Sequence, residues 1–218
     1  MLKLIFGAPG TGKTTEILAC IERDLAEGTP SFLVVPEQNT VSVEAMAARR
    51  LPANAPLLFE VTNFTRLADT VFRRVGGIAT RYADGEAATI LTRDALANVL
   101  PLLSNPRLDA GRVARTLATV REFKASGITP ELLDTAATAI DDNEMLEKKL
   151  ADMSLIMATL EATLAAHKTA LPSDGLSALA EVLATAKPLA GARFYIDGFT
   201  SFTAVQRAII AGLCAQAT

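Results

Sequence analysis

Residues 7–14 read Gly7-Ala8-Pro9-Gly10-Thr11-Gly12-Lys13-Thr14, a complete G-x-x-x-x-G-K-[ST] sequence. The apolar run 2–6 before it predicts a short buried strand, and residues 15–21 after it predict a helix. A glycine-rich turn between a strand and a helix is typical of a loop that wraps a phosphate group. The glycines let successive backbone N–H groups point at the anion, and the positive end of the helix dipole adds to the attraction.

The side chains at the end of this loop have predicted roles in binding a nucleoside triphosphate. Lys13 is expected to reach the β- and γ-phosphates, and the Thr14 hydroxyl is expected to bind Mg²⁺. ATP and Mg²⁺ are therefore the expected ligands. The predicted nucleotide-binding residues are Gly7, Ala8, Pro9, Gly10, Thr11, Gly12, Lys13, Thr14 and Thr15. The alternative is a glycine-rich turn that only joins a strand to a helix.

Further apolar runs predict more strands of the same sheet. Residues 31–35 form a continuous apolar run, which is typical of a parallel strand covered on both faces, and residues 57–61 form another. Residues 193–197 predict a strand that ends in Asp197. A carboxylate at the end of such a strand is what a P-loop NTPase uses to hold the Mg²⁺ water shell opposite the loop threonine. The alternative is that Asp197 caps a turn.

A long helical region separates these strands. Between residues 65 and 187 we find no convincing strand, whereas Asp109 and Thr129 are typical helix N-caps. One predicted helix carries an apolar stripe at alternating spacings of four and three, formed by Leu146, Leu150, Met153, Met157, Leu160 and Leu164. The prediction is an α/β P-loop NTPase domain of residues 1–64 and 188–218, interrupted by an all-helical insertion of residues 65–187. Because only one helix follows Asp197, we expect further strands beyond residue 218, or a partner, to cover the sheet edge.

Composition indicates a cytoplasmic protein with no membrane partner. The net charge is −3, and the two cysteines, Cys20 and Cys214, are too far apart to suggest a disulfide framework or a metal site. No run is long enough for a signal-peptide core or a membrane span. Residues 49–124 carry twelve Lys and Arg against seven Asp and Glu, whereas residues 125–197 carry five against eleven. This asymmetry indicates either two differently solvated faces or a basic half that meets a phosphate backbone or an acidic partner.

Six segments of the chain together resemble a known family. They are GAPGTGKT at 7–14, VVPEQ at 34–38, VTNFTRLA at 61–68, FKASGITP at 123–130, KLAD at 149–152 and YIDGFTSFT at 195–203. This set resembles the N-terminal region of AddB, called RexB in some bacteria. AddB-type proteins are subunits of the ATP-dependent helicase–nuclease that processes double-strand breaks for recombination. The resemblance covers essentially the whole chain.

The resemblance implies a superfamily 1, UvrD-like helicase layout with a RecA-like first domain split by a helical insertion. The resemblance matches motif I with Gly12, Lys13 and Thr14, and it matches the motif II aspartate with Asp197. It therefore implies that Lys13 and Asp197 are the catalytic residues. It also implies that Thr14 and Asp197 are the Mg²⁺ ligands. The segment that touches single-stranded DNA in such helicases corresponds to Thr62, Asn63, Phe64 and Arg66, with Arg73 or Arg74 as further phosphate contacts. The alternative for Phe64 is a core aromatic residue at a strand end.

The sequence departs from the helicases beside the motif II aspartate. They carry Asp-Glu, whereas this chain has Asp197-Gly198, so we expect ATP binding with weak or no hydrolysis. In the family the nuclease and its iron–sulfur cluster lie in the C-terminal part of a longer chain, so we expect neither here. The resemblance implies an AddA-type helicase–nuclease subunit and DNA, as double-strand ends or single strands, as partners. Two alternatives stay open, namely a degenerate helicase-fold scaffold without ATP turnover and a small P-loop kinase.

Overall fold

The computed structural model describes residues 2–8, 10–76, 81–83 and 85–216. The chain divides into two compact units, the first formed by residues 1–77 and 178–218 and the second by residues 78–177. The second unit is shorter than the predicted insertion of residues 65–187, because the segment 65–77 and the segment 178–187 belong to the first unit.

Helices and strands alternate in the first unit, whereas the second unit is mostly helical. In chain order the first unit begins with α1 (Lys13–Ala26), β1 (Ser31–Val34), α2 (Thr40–Arg50), β2 (Phe59–Thr62) and α3 (Phe64–Val75). The second unit contains β3 (Arg81–Tyr82), α4 (Gly85–Val99), α5 (Ala110–Ala125), α6 (Pro130–Thr138), α7 (Glu144–Ala166) and β4 (Thr169–Ala170). The boundary between the units falls within α8 (Pro172–Thr185), whose residues from Ala178 onward belong to the first unit. The first unit then continues with β5 (Arg193–Ile196) and α9 (Ala204–Gln216).

A parallel sheet organises the first unit. Among the described residues it has three strands in the order β2-β1-β5, with Ser31 in register with Phe59 on one side and with Arg193 on the other. On one face Leu33 packs with Ile17 and Ile21 of α1. On the other face the rings of Phe32 and Phe194 stack at 5.6 Å. The parallel pairing of these strands confirms the predicted α/β class and parallel sheet. Apolar residues cover both faces of the sheet, as is typical of parallel strands.

The predicted strand of residues 2–6 is wrong for this structure, in which residues 2–8 form neither helix nor strand. Leu2, Leu4 and Phe6 are 66%, 63% and 86% exposed, and only Ile5 packs partly against the core. Within the described part of the chain, no strand lies beyond β5 to cover a strand formed by residues 2–6. Such an edge strand gains too little burial to offset the entropy lost in ordering it.

The second unit is a helical bundle with its own core. The stripe of α7 contributes Met157, Leu160 and Leu164 to this core, whereas Leu146 lies outside it and is 42% exposed. The sequence predicts no strand in this region. That prediction is wrong in one detail, because two short strands, β3 and β4, pair over two residues each. Among the described residues, no helix combines the length and the apolar character needed to cross a membrane.

The FKASGITP segment is a compact connection between α5 and α6. The N–H groups of Gly127 and Ile128 donate to the carbonyls of Lys124 and Phe123, which closes the end of α5 in a Schellman motif. The ammonium of Lys124 contacts Glu161 and Asp174, each at 2.7 Å. Burial lowers the pKa of Lys124, but its bonds to Asp174 and Glu161 raise it by more, so the pKa stands above its ordinary value. This segment therefore has a structural role.

Candidate functional site

The loop of residues 7–14 turns sharply into α1 at Gly12. Gly12 has a φ of 86°, in the left-handed region that glycine adopts without strain, and it is the N-cap of α1 without a side-chain cap. Among the described residues, no acceptor bonds the N–H groups of Gly12, Lys13, Thr14 or Thr15. These groups therefore point outward from the positive end of a helix, which is an arrangement that binds anions. Pro9, a predicted nucleotide-binding residue, lies outside the described residues.

The side chain of Lys13 lies over the loop that precedes it. Its ammonium donates to the carbonyl oxygens of Gly7 and Ala8, each at 2.8 Å. Thr11 closes the same loop, since its hydroxyl donates to the carbonyl of Ala8 at 2.8 Å. The ammonium is thus held beside the helix end, where it would add a full positive charge to the open N–H groups.

Asp197 meets Thr14 although 183 residues separate them. The Thr14 hydroxyl donates to Asp197 Oδ2 at 2.5 Å, and the N–H of Gly198 donates to Asp197 Oδ1 at 2.9 Å. The contact arises because α1 begins and β5 ends at the same edge of the sheet, where the N–H of Asp197 donates to the carbonyl of Val34. The structure therefore brings together the two side chains predicted to bind Mg²⁺.

The donor set at this edge suits Mg²⁺ bound together with phosphate. A hydroxyl and a carboxylate supply two oxygen ligands, and Mg²⁺ usually combines one or two protein ligands with waters and substrate phosphates. Within the described ranges, no group of three or more His, Cys, Asp or Glu side chains could hold a metal ion. The roles of ATP and Mg²⁺ here stay predictions.

Gly198 explains in physical terms why no acid stands beside Asp197. Its φ is 79°, in the left-handed region that disfavours side chains. A Cβ added there would lie 3.1 Å from Asn39 Nδ2 and 3.3 Å from Pro36 Cδ. The turn after β1, which contains Pro36 and Asn39, therefore closes over this position.

The residues predicted to contact DNA lie at the same sheet edge, but most of them are buried. Thr62 is fully buried, and Asn63 caps α3 by accepting from the N–H of Arg66 at 2.8 Å. Phe64 is 4% exposed and its ring lies 5.4 Å from that of Phe199, so it packs as the alternative interpretation expected. Arg66 is exposed, and its guanidinium contacts Glu44 at 3.0 Å.

Neighbouring aromatic and basic side chains complete this edge. The ring of Phe199 also lies 5.2 Å from that of Phe202, and both side chains are half-buried. The guanidinium of Arg207 donates to the Phe202 carbonyl at 2.8 Å. Of the two further predicted phosphate contacts, Arg73 donates to Thr70 and Arg74 lies 5.8 Å from the centre of the Phe32 ring.

The sequence interpretation missed a buried carboxylate at the opposite edge of the sheet. Asp24, near the end of α1, is 2% exposed and forms an ion pair with Arg193. It also accepts from the Tyr195 hydroxyl at 2.5 Å and the Ser31 hydroxyl at 3.2 Å. Burial, and then the bond to Asp24, raise the pKa of Tyr195. The available signal was spacing, because an acid three residues after Ile21 falls on the apolar face of α1.

Comparison with known proteins gives one family. Residues 4–218 match the family described as ADDB, N-terminal. A protein of Moorella thermoacetica, named as a subunit of an ATP-dependent helicase/deoxyribonuclease, is 32% identical over 230 residues, which cover 99% of this chain and 20% of that protein. The protein of the same name from Caldanaerobacter subterraneus subsp. tengcongensis is 31% identical over 223 residues, which cover 100% of this chain and 19% of that protein. The chain thus spans about a fifth of the length of these relatives. Because the family match covers nearly every residue, this chain belongs to the ADDB N-terminal family.

Proposed function

We propose that this chain is the ATP-binding, helicase-like N-terminal region of a subunit of an ATP-dependent helicase/deoxyribonuclease. It acts in the cytoplasm with an AddA-type partner subunit on broken DNA, in recombinational repair. Family membership supports the subunit, and one contact supports the nucleotide site, namely the 2.5 Å bond between Thr14 and Asp197. That bond brings the two side chains expected of a P-loop Mg²⁺ site to one point.

The geometry supports phosphate binding in two steps. The N–H groups at the start of α1 supply neutral donors, and the Lys13 ammonium, already beside them, supplies the charge. A bound γ-phosphate would take the place of the Gly7 and Ala8 carbonyls as the acceptor for Lys13. The Thr14 hydroxyl and the Asp197 carboxylate would hold Mg²⁺, which would supply positive charge to the phosphates.

We propose that the parallel sheet β2-β1-β5 and the loop of residues 7–14 form a P-loop NTPase domain. The observation that supports this fold is that the loop threonine, Thr14, and Asp197 at the end of β5 lie at the same edge of the sheet.

The test of the nucleotide site is the ATP affinity of a lysine variant, measured by titration calorimetry in the presence of Mg²⁺. Replacing Lys13 with alanine removes a charged donor to phosphate, so we expect affinity to fall about 10- to 100-fold. The matched control is Lys187→Ala, which removes an exposed lysine of the same unit and should leave affinity within about twofold. Equal affinities of wild type and Lys13→Ala would remove Lys13 from the site.

Contact with single-stranded DNA belongs to the same proposal. Phe199, Phe202 and Arg207 follow β5 at the same end of the sheet as Thr62, Asn63 and Phe64, and their side chains are half-buried or exposed. Half-exposed rings beside guanidinium groups are what sequence-tolerant single-strand binding uses, through stacking and phosphate contacts.

A second candidate function is a scaffold that binds nucleotide without turnover, and Gly198 favours it. A side chain at position 198 would need Pro36 and Asn39 to shift and a left-handed backbone, so an acid that would activate water is disfavoured there. The two functions separate in the assembled complex when the partner subunit's own ATPase site is inactivated. DNA-stimulated hydrolysis that disappears with Lys13→Ala would exclude the scaffold, whereas its absence would support it.

A further inference from the structure

A groove of about 370 Å³ lies in the first unit between α2 and β2, and we call it the β2-edge groove. Its apolar walls come from Leu51, Pro52, Pro56 and Phe59. Leu57, which lies just before β2, is 83% exposed. Exposed apolar side chains beside the end strand of a sheet form a surface that proteins usually cover.

The backbone of β2 presents unused hydrogen-bonding groups on its outer side. The carbonyls of Leu58 and Thr62 accept from Ser31 and Val35, so alternate residues of β2 face β1. Phe59 and Val61 therefore direct their N–H and C=O groups away from the sheet. Among the described residues, neither N–H donates to an acceptor, and both residues line the groove. An extended peptide is the ligand that can pair with such a row of groups.

Charge limits the choice of occupant. The groove carries the carboxylates of Glu44 and Glu60 and one guanidinium, that of Arg66, which already contacts Glu44 at 3.0 Å. This excess of negative charge disfavours a phosphate backbone. It also disfavours a second copy of this chain, because pairing of two β2 edges would bring both copies of Glu60 together. A peptide with apolar side chains and a basic residue opposite Glu60 fits best.

We infer that the β2-edge groove binds an extended segment of the partner subunit, which adds to β2 as a further strand. This inference rests on the proposed function, since the partner is the other subunit of the helicase/deoxyribonuclease. Main-chain bonds to Phe59 and Val61 give the affinity, and the apolar walls with Glu60 select the side chains.

The test is site-specific photo-crosslinking in the full-length, assembled complex. The photoreactive residue p-benzoyl-phenylalanine replaces Ala48 or Ala53, which both line the groove and are exposed, so the fold should tolerate it. The control position is Ala190, exposed in the same unit but outside the groove. Crosslinked peptides are identified by mass spectrometry. We expect both groove positions, and not Ala190, to capture one and the same segment of the partner subunit.

Any other capture would overturn the inference. Crosslinks to DNA, to a second copy, or to another part of the same chain, and an absence of crosslinks above the Ala190 control, all contradict it. None of these outcomes affects the test of Lys13, because the groove and the loop share no residue. Failure of the proposed function would instead appear as unchanged ATP affinity in Lys13→Ala or as no stable complex.

A charge reversal provides a second, independent measurement. Glu60→Lys should weaken the binding of the partner subunit about tenfold, because a lysine would face the basic residue of the added strand. Glu22→Lys makes the same change of charge on the exposed side of α1 and should leave the affinity within about twofold. Equal affinities of the two variants would contradict the predicted basic contact.

Discussion

An aspartate connects α1 with β5 at each end of the sheet, but the two aspartates are bonded differently. At the carboxyl ends of the strands, Asp197 follows β5 and accepts from Thr14 at the start of α1. At the opposite edge, Asp24 in the last turn of α1 pairs with Arg193 and accepts from Tyr195, both in β5. The same two elements are therefore joined twice.

The difference between the aspartates indicates which end can bind a ligand. Asp24 is 2% exposed and accepts from a guanidinium and two hydroxyl groups, so its oxygens are not accessible to a ligand. Asp197 is half-buried, and one of its two bonds comes from the adjacent Gly198. A carboxylate saturated by protein donors stabilises the fold, whereas one with accessible oxygens can accept a metal.

The largest expected effect in this comparison is on stability. Asp24→Ala leaves the Tyr195 and Ser31 hydroxyl groups without this acceptor, whereas Arg193 keeps its contact with Glu27, so the free energy of unfolding should fall by about 3 kcal/mol. Asp197→Ala should cost less than about 1 kcal/mol, because solvent can replace the lost bonds. Urea denaturation of both variants measures the difference, and equal losses would end the distinction between the two aspartates.

The next effect concerns the turn that fixes Asp197. Gly198→Ala should lower the free energy of unfolding by about 2 kcal/mol, because a left-handed φ disfavours alanine and the new Cβ meets Asn39 and Pro36. Gly191→Ala is the matched control, since Gly191 has a φ of 80° and no atom within 4 Å of the new Cβ. It should cost about 1 kcal/mol, from the backbone alone. Equal losses in the free energy of unfolding for Gly198→Ala and Gly191→Ala would show that Pro36 and Asn39 shift easily to make room for a side chain.

Local features of the fold could be predicted from the sequence. Two helix caps depend on residues near one another in the chain, namely Thr129 at α6 and the reciprocal bonds between Thr203 and Gln206 at α9. Three of the strands coincide with apolar runs that are visible in the sequence. The proximity of Thr14 and Asp197 could also be predicted, because the carboxyl ends of parallel strands lie at one edge of a sheet.

Features that depend on distant contacts could not be predicted. The apolar run 2–6 reads as a strand, but pairing requires a neighbour and cover that sequence spacing does not reveal. Whether Phe64 is exposed depends on Phe199, far along the chain, so its burial was only one of two interpretations. Asp24 was overlooked because its partners come from two other elements.

A smaller effect is expected for the hydroxyl that contacts Asp24. Tyr195→Phe removes one bond to a carboxylate that keeps its other donors, so it should cost about 1 kcal/mol at neutral pH. Because the pKa of Tyr195 is raised above its ordinary value of 10.0, the folded protein keeps this proton at a pH where the unfolded chain loses it. Wild-type stability should therefore fall as pH rises above about 10, and more steeply than that of Tyr195→Phe. Parallel slopes on either side of that pH would contradict this assignment.

The smallest effect on stability is expected for Thr14, which contacts the half-buried Asp197. Thr14→Val keeps the shape of the side chain and removes only a partly exposed hydroxyl, so the free energy of unfolding without nucleotide should change by less than about 0.5 kcal/mol. The same variant should lose most of the gain in ATP affinity that Mg²⁺ provides, about tenfold, because the hydroxyl is the proposed metal ligand. Thr11→Val, which removes a loop hydroxyl bonded to Ala8, should keep that gain. Calorimetric titrations with Mg²⁺ and with a chelator separate the two variants, and an unchanged Mg²⁺ dependence in Thr14→Val would mean that the contact with Asp197 is structural, like that of Asp24.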